Sequence, residues 1–280
     1  MRAYVSIDFE GLPGIASIAG LSPRGSQYGR SEDIVTRIAK FVVEQLLGQG
    51  VERVIVADSH GSMTNIDYRK LPKGASVIQG YPRPLSMVTG INEGYDAVFF
   101  IGYHAAAGTT LGFLDHTYSG MTYHRILIND YPASEYLINA LVAGKYNVPV
   151  ALVAGDKALE KDVEKFTPWS VFVPLKKGYS RYSAIYDSID EVCDRLKEGI
   201  KEAVRKVKHN EVKPLKIEIK EVIAELRDTI YADIVSFLPF VERLDAYTLK
   251  INLKDPEKIL EALEAIALMC YGVHLLRERI

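Results

Sequence analysis

Carboxylate and imidazole side chains follow three strand-like stretches of the sequence. Asp8 and Glu10 come directly after the alternating run 2–7, while His60 and His104 close two later apolar stretches. Asp8 and Glu10 are two residues apart, so in extended backbone their side chains leave the same face, about 7 Å apart along the chain. Because isolated buried charges are costly, this pattern predicts a bound cation. Imidazole together with carboxylate favours zinc or a similar transition metal over an all-oxygen magnesium or calcium site.

Each of these residues also has a plain structural interpretation. Asp8 and Glu10 could accept hydrogen bonds from backbone amides of the glycine-rich turn that follows them. His60 could lie in a surface loop, and His104 could be a hydrogen-bonded core histidine. Asp58, two residues before His60, could be a ligand or could orient an imidazole through a hydrogen bond. The convergence of several such residues on one edge is what favours the metal site.

The elements that must position these side chains alternate between strand-like and helix-like patterns. A helix is predicted from an N-cap at Ser31 to about residue 48, and another over 134–146. Strands are predicted at 2–7, 51–60, 75–80, 95–104, 124–130 and 148–156. Such alternation favours an α/β fold with a mostly parallel sheet flanked by helices. In open sheets of this type ligands bind beyond the carboxyl ends of the strands, where the carboxylates and histidines are expected.

The pattern of predicted helices and strands changes after about residue 178. A long amphipathic helix is predicted over 187–210, followed by alternating strands at 214–222 and 246–253 and a final helix from Pro256. Alternation indicates a small sheet with one face in water. We therefore expect residues 1–178 to form a metal-binding α/β domain and residues 179–280 to form a smaller α+β unit.

Composition excludes several classes of function. The 280 residues are 48% hydrophobic with a formal net charge of −2, which supports a full core and gives no electrostatic footprint for nucleic acid. No uninterrupted apolar run is long enough to span a bilayer, so no membrane partner is expected. Cys193 and Cys270 are not in metal-type spacing, and we expect a cytoplasmic protein. Glycine-rich phosphate-binding loops are absent from the sequence, which excludes the ordinary nucleotide-binding classes.

Five stretches of the sequence, in the same order and spacing, resemble the motifs of the zinc-dependent D-aminopeptidases, a self-compartmentalising family. They are SIDFEG (6–11), DSHGSMTN (58–65), GYHA (102–105), LDHTYSG around His116, and INDYPASEYLINA (128–140). The resemblance covers most of residues 1–185 and continues more weakly to the C-terminus.

The resemblance implies a site with two zinc ions per subunit. In that site Asp8 would bridge both ions, Glu10 and His60 would complete one, and His104 and Glu135 would complete the other. His116 would be the catalytic histidine and not a ligand. Without the resemblance, Glu135 would be interpreted as a favourable charge in the first turn of the predicted helix 134–146.

The expected function is a two-zinc aminopeptidase that acts on short peptides. A D-residue at the peptide N-terminus and a homo-oligomeric ring, a decamer, are implied by the resemblance alone. Two alternatives stay open at this point. One is a two-metal hydrolase of another amide or of a phosphate ester, since the same ion pair stabilises either transition state. The other is a non-catalytic metal-binding assembly protein.

Overall fold

The structure is a computed structural model that describes residues 1–277. Its strands are β1 Arg2–Ile7, β2 Arg53–Asp58, β3 Ala75–Ile78, β4 Ala97–Tyr103, β5 Tyr123–Ile128, β6 Tyr131–Pro132, β7 Val150–Asp156, β8 Val171–Ser180, β9 Ser183–Ile185, β10 Val222–Leu226, β11 Val241–Arg243 and β12 Thr248–Ile251. Its α-helices are α1 Tyr28–Gly48, α2 Glu135–Lys145, α3 Glu160–Phe166, α4 Ile189–Lys208, α5 Thr229–Val235 and α6 Pro256–Arg277.

A seven-stranded sheet in the order β3-β2-β1-β4-β7-β8-β9 carries the candidate site. Its neighbours pair in parallel except for the β8–β9 hairpin. Ile7, the last residue of β1, pairs with Asp58 of β2 and with Ile101 of β4, so these three strands end at one edge. The expected α/β class with a mostly parallel sheet is confirmed.

A second, antiparallel sheet has the order β11-β12-β10-β5-β6. Its strands β5 and β6 come from the N-terminal range 123–132. Conversely, α4 packs beside α1 in the apolar layer that covers one face of the first sheet. The division at residue 178 stays a prediction, and chain segments cross it in both directions.

Helix α1 begins earlier than predicted. Ser31 is buried inside the helix and is not its N-cap; Gln27 holds that position and makes no side-chain cap bond. The preceding turn is set by Gly25, where an added Cβ would lie 2.1 Å from the carbonyl oxygen of Ala19. This close approach starts the helix at Tyr28, one turn before the Ser-Glu-Asp run that resembles a cap.

The strand predicted at 214–222 is wrong over most of its length. Only Val222 belongs to a strand, β10, and the residues before it are irregular. The alternation reflects burial of Leu215 and Ile219 against the core, and none of the strands described within residues 1–277 pairs with this segment before Val222. A Cβ at Gly144 of α2 would lie 1.8 Å from the Leu215 carbonyl oxygen, which shows how closely the segment lies on that helix.

Helix α6 is long and apolar enough to cross a membrane by length and composition alone, although charged residues interrupt its apolar run. One third of its most apolar window is buried. The buried side, which includes Leu260, Leu263 and Ile266, packs in the core beside the second sheet. A core helix meets the same criteria of length and composition.

Candidate metal centre

The segment that follows β1 and the end of β4 run so close at the carboxyl edge that only glycine fits at two positions. A Cβ on Gly11 would lie 2.2 Å from the Tyr103 carbonyl oxygen, and one on Gly102 would lie 2.1 Å from that of Asp8. Gly102 also has a φ of +75°, which glycine tolerates without strain. The Asp8 amide donates to the Ile101 carbonyl at 2.8 Å, so Asp8 is fixed beside the end of β4.

Asp8, Glu10 and His60 form a first buried cluster, with ligand-type atoms within 4.8 Å of one another. The His60 Nδ1 atom lies 3.1 Å from Glu10 Oε2 and 3.4 Å from Asp8 Oδ1. The His60 ring stacks on Phe9, with centroids 4.2 Å apart. This stacking holds the imidazole between the two carboxylates.

His104, His116 and Glu135 form a second cluster of the same size. The His104 Nε2 atom lies 3.5 Å from Glu135 Oε2 and also 3.5 Å from Asp8 Oδ2. The His116 Nε2 atom lies 3.6 Å from Glu135 Oε1. The two oxygens of Asp8 therefore face different clusters, one each.

Backbone carbonyls fix the orientation of all three imidazoles. His60 Nε2 lies 2.9 Å from Leu21 O, His104 Nδ1 lies 3.0 Å from Ala105 O, and His116 Nδ1 lies 2.8 Å from Leu114 O. Because a carbonyl only accepts hydrogen bonds, the nitrogen that faces it must carry the hydrogen. When such a ring is neutral, its opposite nitrogen presents a lone pair to the cluster, the arrangement common for metal-binding histidines.

The electrostatics of the two clusters are those of a cation-binding site. Asp8 Oδ2 and His104 Nε2 are buried without a hydrogen-bond partner. Burial and the neighbouring charge of Glu10 raise the pKa of Asp8 to about 8. Burial opposes protonation of His104, but the Glu135 carboxylate outweighs it and raises the pKa of His104 to about 10. The two buried atoms without partners and the donor set of carboxylates and imidazoles fit zinc.

Helix α2 places Glu135 in the second cluster. The Ser134 side chain accepts from the Leu137 amide and caps the helix, so Glu135 is its first residue. The Glu135 Oε1 atom accepts a 2.7 Å hydrogen bond from the Tyr118 amide in the loop that carries His116. Glu135 therefore joins the start of α2 to this loop, a connection that helix periodicity alone does not indicate.

Asp58 lies outside both clusters. Its carboxylate accepts hydrogen bonds from the backbone amides of Asn65 and Ile66 and from the Asn65 side chain. The same Asn65 amide group donates to the His60 carbonyl at 2.8 Å. Asp58 is therefore neither placed as a ligand nor bonded to an imidazole; it shapes the loop that carries His60.

Arg181 stabilises the loop that carries His116. Its guanidinium donates to both the carbonyl and the carboxylate of Asp115. A second carboxylate oxygen of Asp115 accepts from the Gly108 amide at 2.6 Å. His124, by contrast, is exposed on β5 and does not line the cavity described next.

A cavity of about 560 Å³ opens onto the two clusters. Asp8, His60, His116 and Glu135 line it on one side. The remaining wall includes residues that the sequence did not mark as functional: Met63, Tyr81, Ser86, Met87, Met121 and Glu264. No sequence signal links α6, which carries Glu264, to strand ends more than 150 residues earlier.

The fold and the site define an α/β metalloenzyme with space for two neighbouring cations at the carboxyl edge of a parallel sheet. The sequence profile of the D-aminopeptidase family of peptidases matches residues 1–265. A D-aminopeptidase of Bacillus subtilis (strain 168) is 32% identical over 271 residues, which are 96% of each chain. The chain belongs to the D-aminopeptidase family, as the five motifs predict.

A solved structure extends the similarity to three dimensions. It is the Zn-dependent D-aminopeptidase DppA from Bacillus subtilis, a self-compartmentalizing protease. The TM-score is 0.88 at 29% identity, with 95% of this chain and 96% of that chain covered. The overall fold is therefore shared with an enzyme that depends on zinc.

Proposed function

We propose that this protein is a two-zinc aminopeptidase that hydrolyses short peptides with an N-terminal D-amino acid. The observation that carries the proposal is the position of Asp8, whose two carboxylate oxygens face two separate ligand clusters. Membership of the D-aminopeptidase family supplies the class of reaction. The similar Zn-dependent structure favours zinc as the metal.

In this proposal five residues hold the two ions. Asp8 would contribute to both sites, Glu10 and His60 would complete one, and His104 and Glu135 would complete the other. Two zinc ions held there supply Lewis acidity toward the scissile carbonyl and toward water at neutral pH. Buried carboxylates bring the negative charge that such a pair of cations requires.

His116 is proposed to handle a proton and not to bind metal. Its side chain is 21% exposed, more than that of His60 or His104, and it lines the cavity. With the hydrogen of Nδ1 donated to the Leu114 carbonyl, Nε2 faces the cavity and Glu135. It can take a proton there and return it to the departing amine, or donate to the developing oxyanion.

The assembly is proposed to be a homo-oligomer, and specifically a decamer. The similar DppA structure is a self-compartmentalizing protease. On this chain α6 exposes large apolar side chains beside the cavity, including Leu268 at 43% and Tyr271 at 50%, and Leu276 is 61% exposed near its end. Contiguous exposed apolar surface is typical of protein–protein contacts.

We also propose a cytoplasmic location. Cys193 and Cys270 are both free and buried, so no disulfide joins them within the described chain. Unpaired cysteines are typical of a reducing compartment. Cell fractionation with an antibody against the protein tests this location.

Hydrolysis by the zinc-loaded protein tests the activity. We expect cleavage of D-alanyl dipeptides in preference to their L counterparts, and loss of activity after dialysis against a chelator. N-acetylated peptides should be poorer substrates by about a hundredfold or more, because they lack the free amine. Equal rates on acetylated peptides would favour an amidase, cleavage of a phosphate ester alone would favour a phosphoesterase, and no turnover would favour an assembly protein.

A further inference from the structure

Glu264 of α6 is a carboxylate on the cavity wall that the metal clusters do not use. It lines the same cavity as Asp8, His116 and Glu135. Neither of the two ligand clusters includes it. Its position therefore adds an acidic group to the substrate cavity, separate from the metal ligands.

The partners of Glu264 are neutral. Tyr81 donates its hydroxyl to Glu264 Oε2 at 2.8 Å, and Ser86 donates to Oε1 at 2.7 Å. Among residues 1–277 no lysine, arginine or histidine lies within ion-pair distance of this carboxylate. Burial raises the pKa of Glu264, and the two hydroxyls oppose that effect. A carboxylate in such a place is costly to ionise unless a cation joins it.

The charge of Arg83 lowers the pKa of Glu264 and so partly opposes the effect of burial, but the hydrogen bonds of Arg83 go elsewhere. Arg83 donates to the backbone carbonyls of Ser86 at 2.9 Å, Ile78 at 3.1 Å and Asp58 at 2.8 Å. These bonds hold the loop below the cavity and direct the guanidinium at backbone oxygens. Arg83 therefore fixes Ser86 in place but does not neutralise Glu264 directly.

The loop that presents Ser86 is strained. Leu85 has a φ of 58° and Ser86 a φ of 44°, in the left-handed region that side chains other than glycine rarely adopt. Strain of this kind persists where the surrounding structure enforces it, often at ligand sites. Here the strained backbone places the Ser86 hydroxyl at one oxygen of Glu264. The hydrogen bond holds the carboxylate in a defined orientation.

We propose that Glu264 binds a primary ammonium group of the substrate, with Tyr81 and Ser86 holding the carboxylate in position. This inference rests on the proposed function, because the substrate is then a peptide. The ammonium can belong to the peptide N-terminus or to a lysine-type side chain, which share one chemistry. Met63, Met87 and Met121 line the same cavity and offer adaptable apolar contacts to the aliphatic part of the ligand.

Calorimetric binding of n-butylammonium tests the site without turnover. The zinc-loaded native protein should bind this cation more tightly than neutral n-butanol, and Glu264→Gln should weaken the binding at least tenfold. The control is Glu261→Gln, which alters an exposed carboxylate on the same helix that pairs with Lys258. Absence of binding to the native protein, or equal binding by Glu264→Gln, would overturn the proposal.

Matched peptides identify the source of the ammonium. If the N-terminus binds there, Glu264→Gln should lower kcat/KM tenfold or more for D-Ala-Gly amide and leave propionyl-Gly amide unchanged. If a side chain binds there, the loss should be confined to D-lysyl-Gly amide, with D-norleucyl-Gly amide unaffected. Unchanged kcat/KM for every peptide would refute the proposal. If the native protein cleaves none of these peptides, the proposed peptidase function is refuted. The calorimetry alone then tests whether Glu264 binds an ammonium group.

Discussion

Asp8 is the residue on which the two clusters depend. Its Oδ1 atom faces His60 and its Oδ2 atom faces His104, so a single carboxylate links two sets of ligands. Burial and the neighbouring charge of Glu10 raise its pKa to about 8, so this environment favours the ionised carboxylate only when positive charge is close to it. Cation binding at these carboxylates and imidazoles would therefore release protons.

Replacing Asp8 with Asn tests the bridging role. The native chain should bind two zinc ions, and Asp8→Asn should bind them more weakly by on the order of a hundredfold or more, since removing one partner of a buried charge pair costs about 3–5 kcal/mol. The variant should fold, because Asn resembles the protonated carboxyl. Metal analysis after gel filtration checks this, with the exposed Asp33→Asn as control. A native content of one ion or none at saturating zinc contradicts the two-zinc site.

His116→Ala separates catalysis from metal binding. We expect zinc content near the native value and a fall in kcat of about 10²–10⁴-fold, the usual contribution of a positioned acid or base. Metal analysis and D-alanyl peptide hydrolysis measure the two quantities. The exposed His124→Ala serves as the control. His116 lies within the second cluster, so loss of one zinc ion in the variant would identify it as a ligand.

At the scale of elements, β8 connects two loops of the site through Lys176. The Lys176 ammonium donates to the Ile15 carbonyl at 2.5 Å in the loop after β1. It also lies 4.1 Å from the centroid of Phe113, in the loop that carries His116. Lys176 therefore contacts both the segment that follows the acidic residues and the loop that carries His116, and it fixes the two relative to each other.

Lys176 should give the stability of the protein a distinct pH dependence. Burial lowers its pKa to about 7, only partly opposed by Asp156, whereas the unfolded chain keeps this proton up to about pH 10. Between pH 7 and 10 the unfolded state therefore binds more protons, and stability rises with pH by up to about 1.4 kcal/mol per unit. Lys176→Met should lack this contribution.

Denaturant unfolding from pH 6 to 10 measures the effect as a difference between variants. The free energy of unfolding of the native protein minus that of Lys176→Met should increase from pH 7 to 10 and be flat below pH 6. Lys177→Met, at the exposed neighbouring position, should follow the native protein. A difference that does not change with pH would mean that Lys176 keeps its proton when buried.

The sequence predicted elements best where one physical cause controlled them. An alternating run identified β1, apolar runs identified β2, β4 and β7, and the strand-end rule brought Asp8, His60 and His104 to one edge. The start of α1 was missed because the close contact at Gly25 outweighs the cap-like Ser31. Glu135 and His116 were found only through the family resemblance, since their places depend on loops and not on periodicity.

At the scale of the whole molecule, exposed apolar residues of α6 are expected to be covered by neighbouring subunits. Leu276→Glu should therefore reduce the size of the assembly, because a buried unpaired charge opposes association. Analytical ultracentrifugation should show a decamer for the native chain and smaller species for the variant. Lys201→Glu, on the exposed face of α4, should leave the assembly intact. A native monomer would contradict the proposed assembly.

The pairing of β5 with strands of the second sheet affects when the newly synthesised chain can bind metal. All the proposed zinc-binding residues and His116 lie within the first 135 residues, yet β5 pairs with β10 at 222–226. Helix α4, at 189–208, also covers the first sheet. A nascent chain that stops at residue 178 lacks both, leaving one edge of β5 and one apolar layer uncovered. Such a fragment should not retain zinc through gel filtration, and metal loading should therefore follow release of nearly the whole chain from the ribosome.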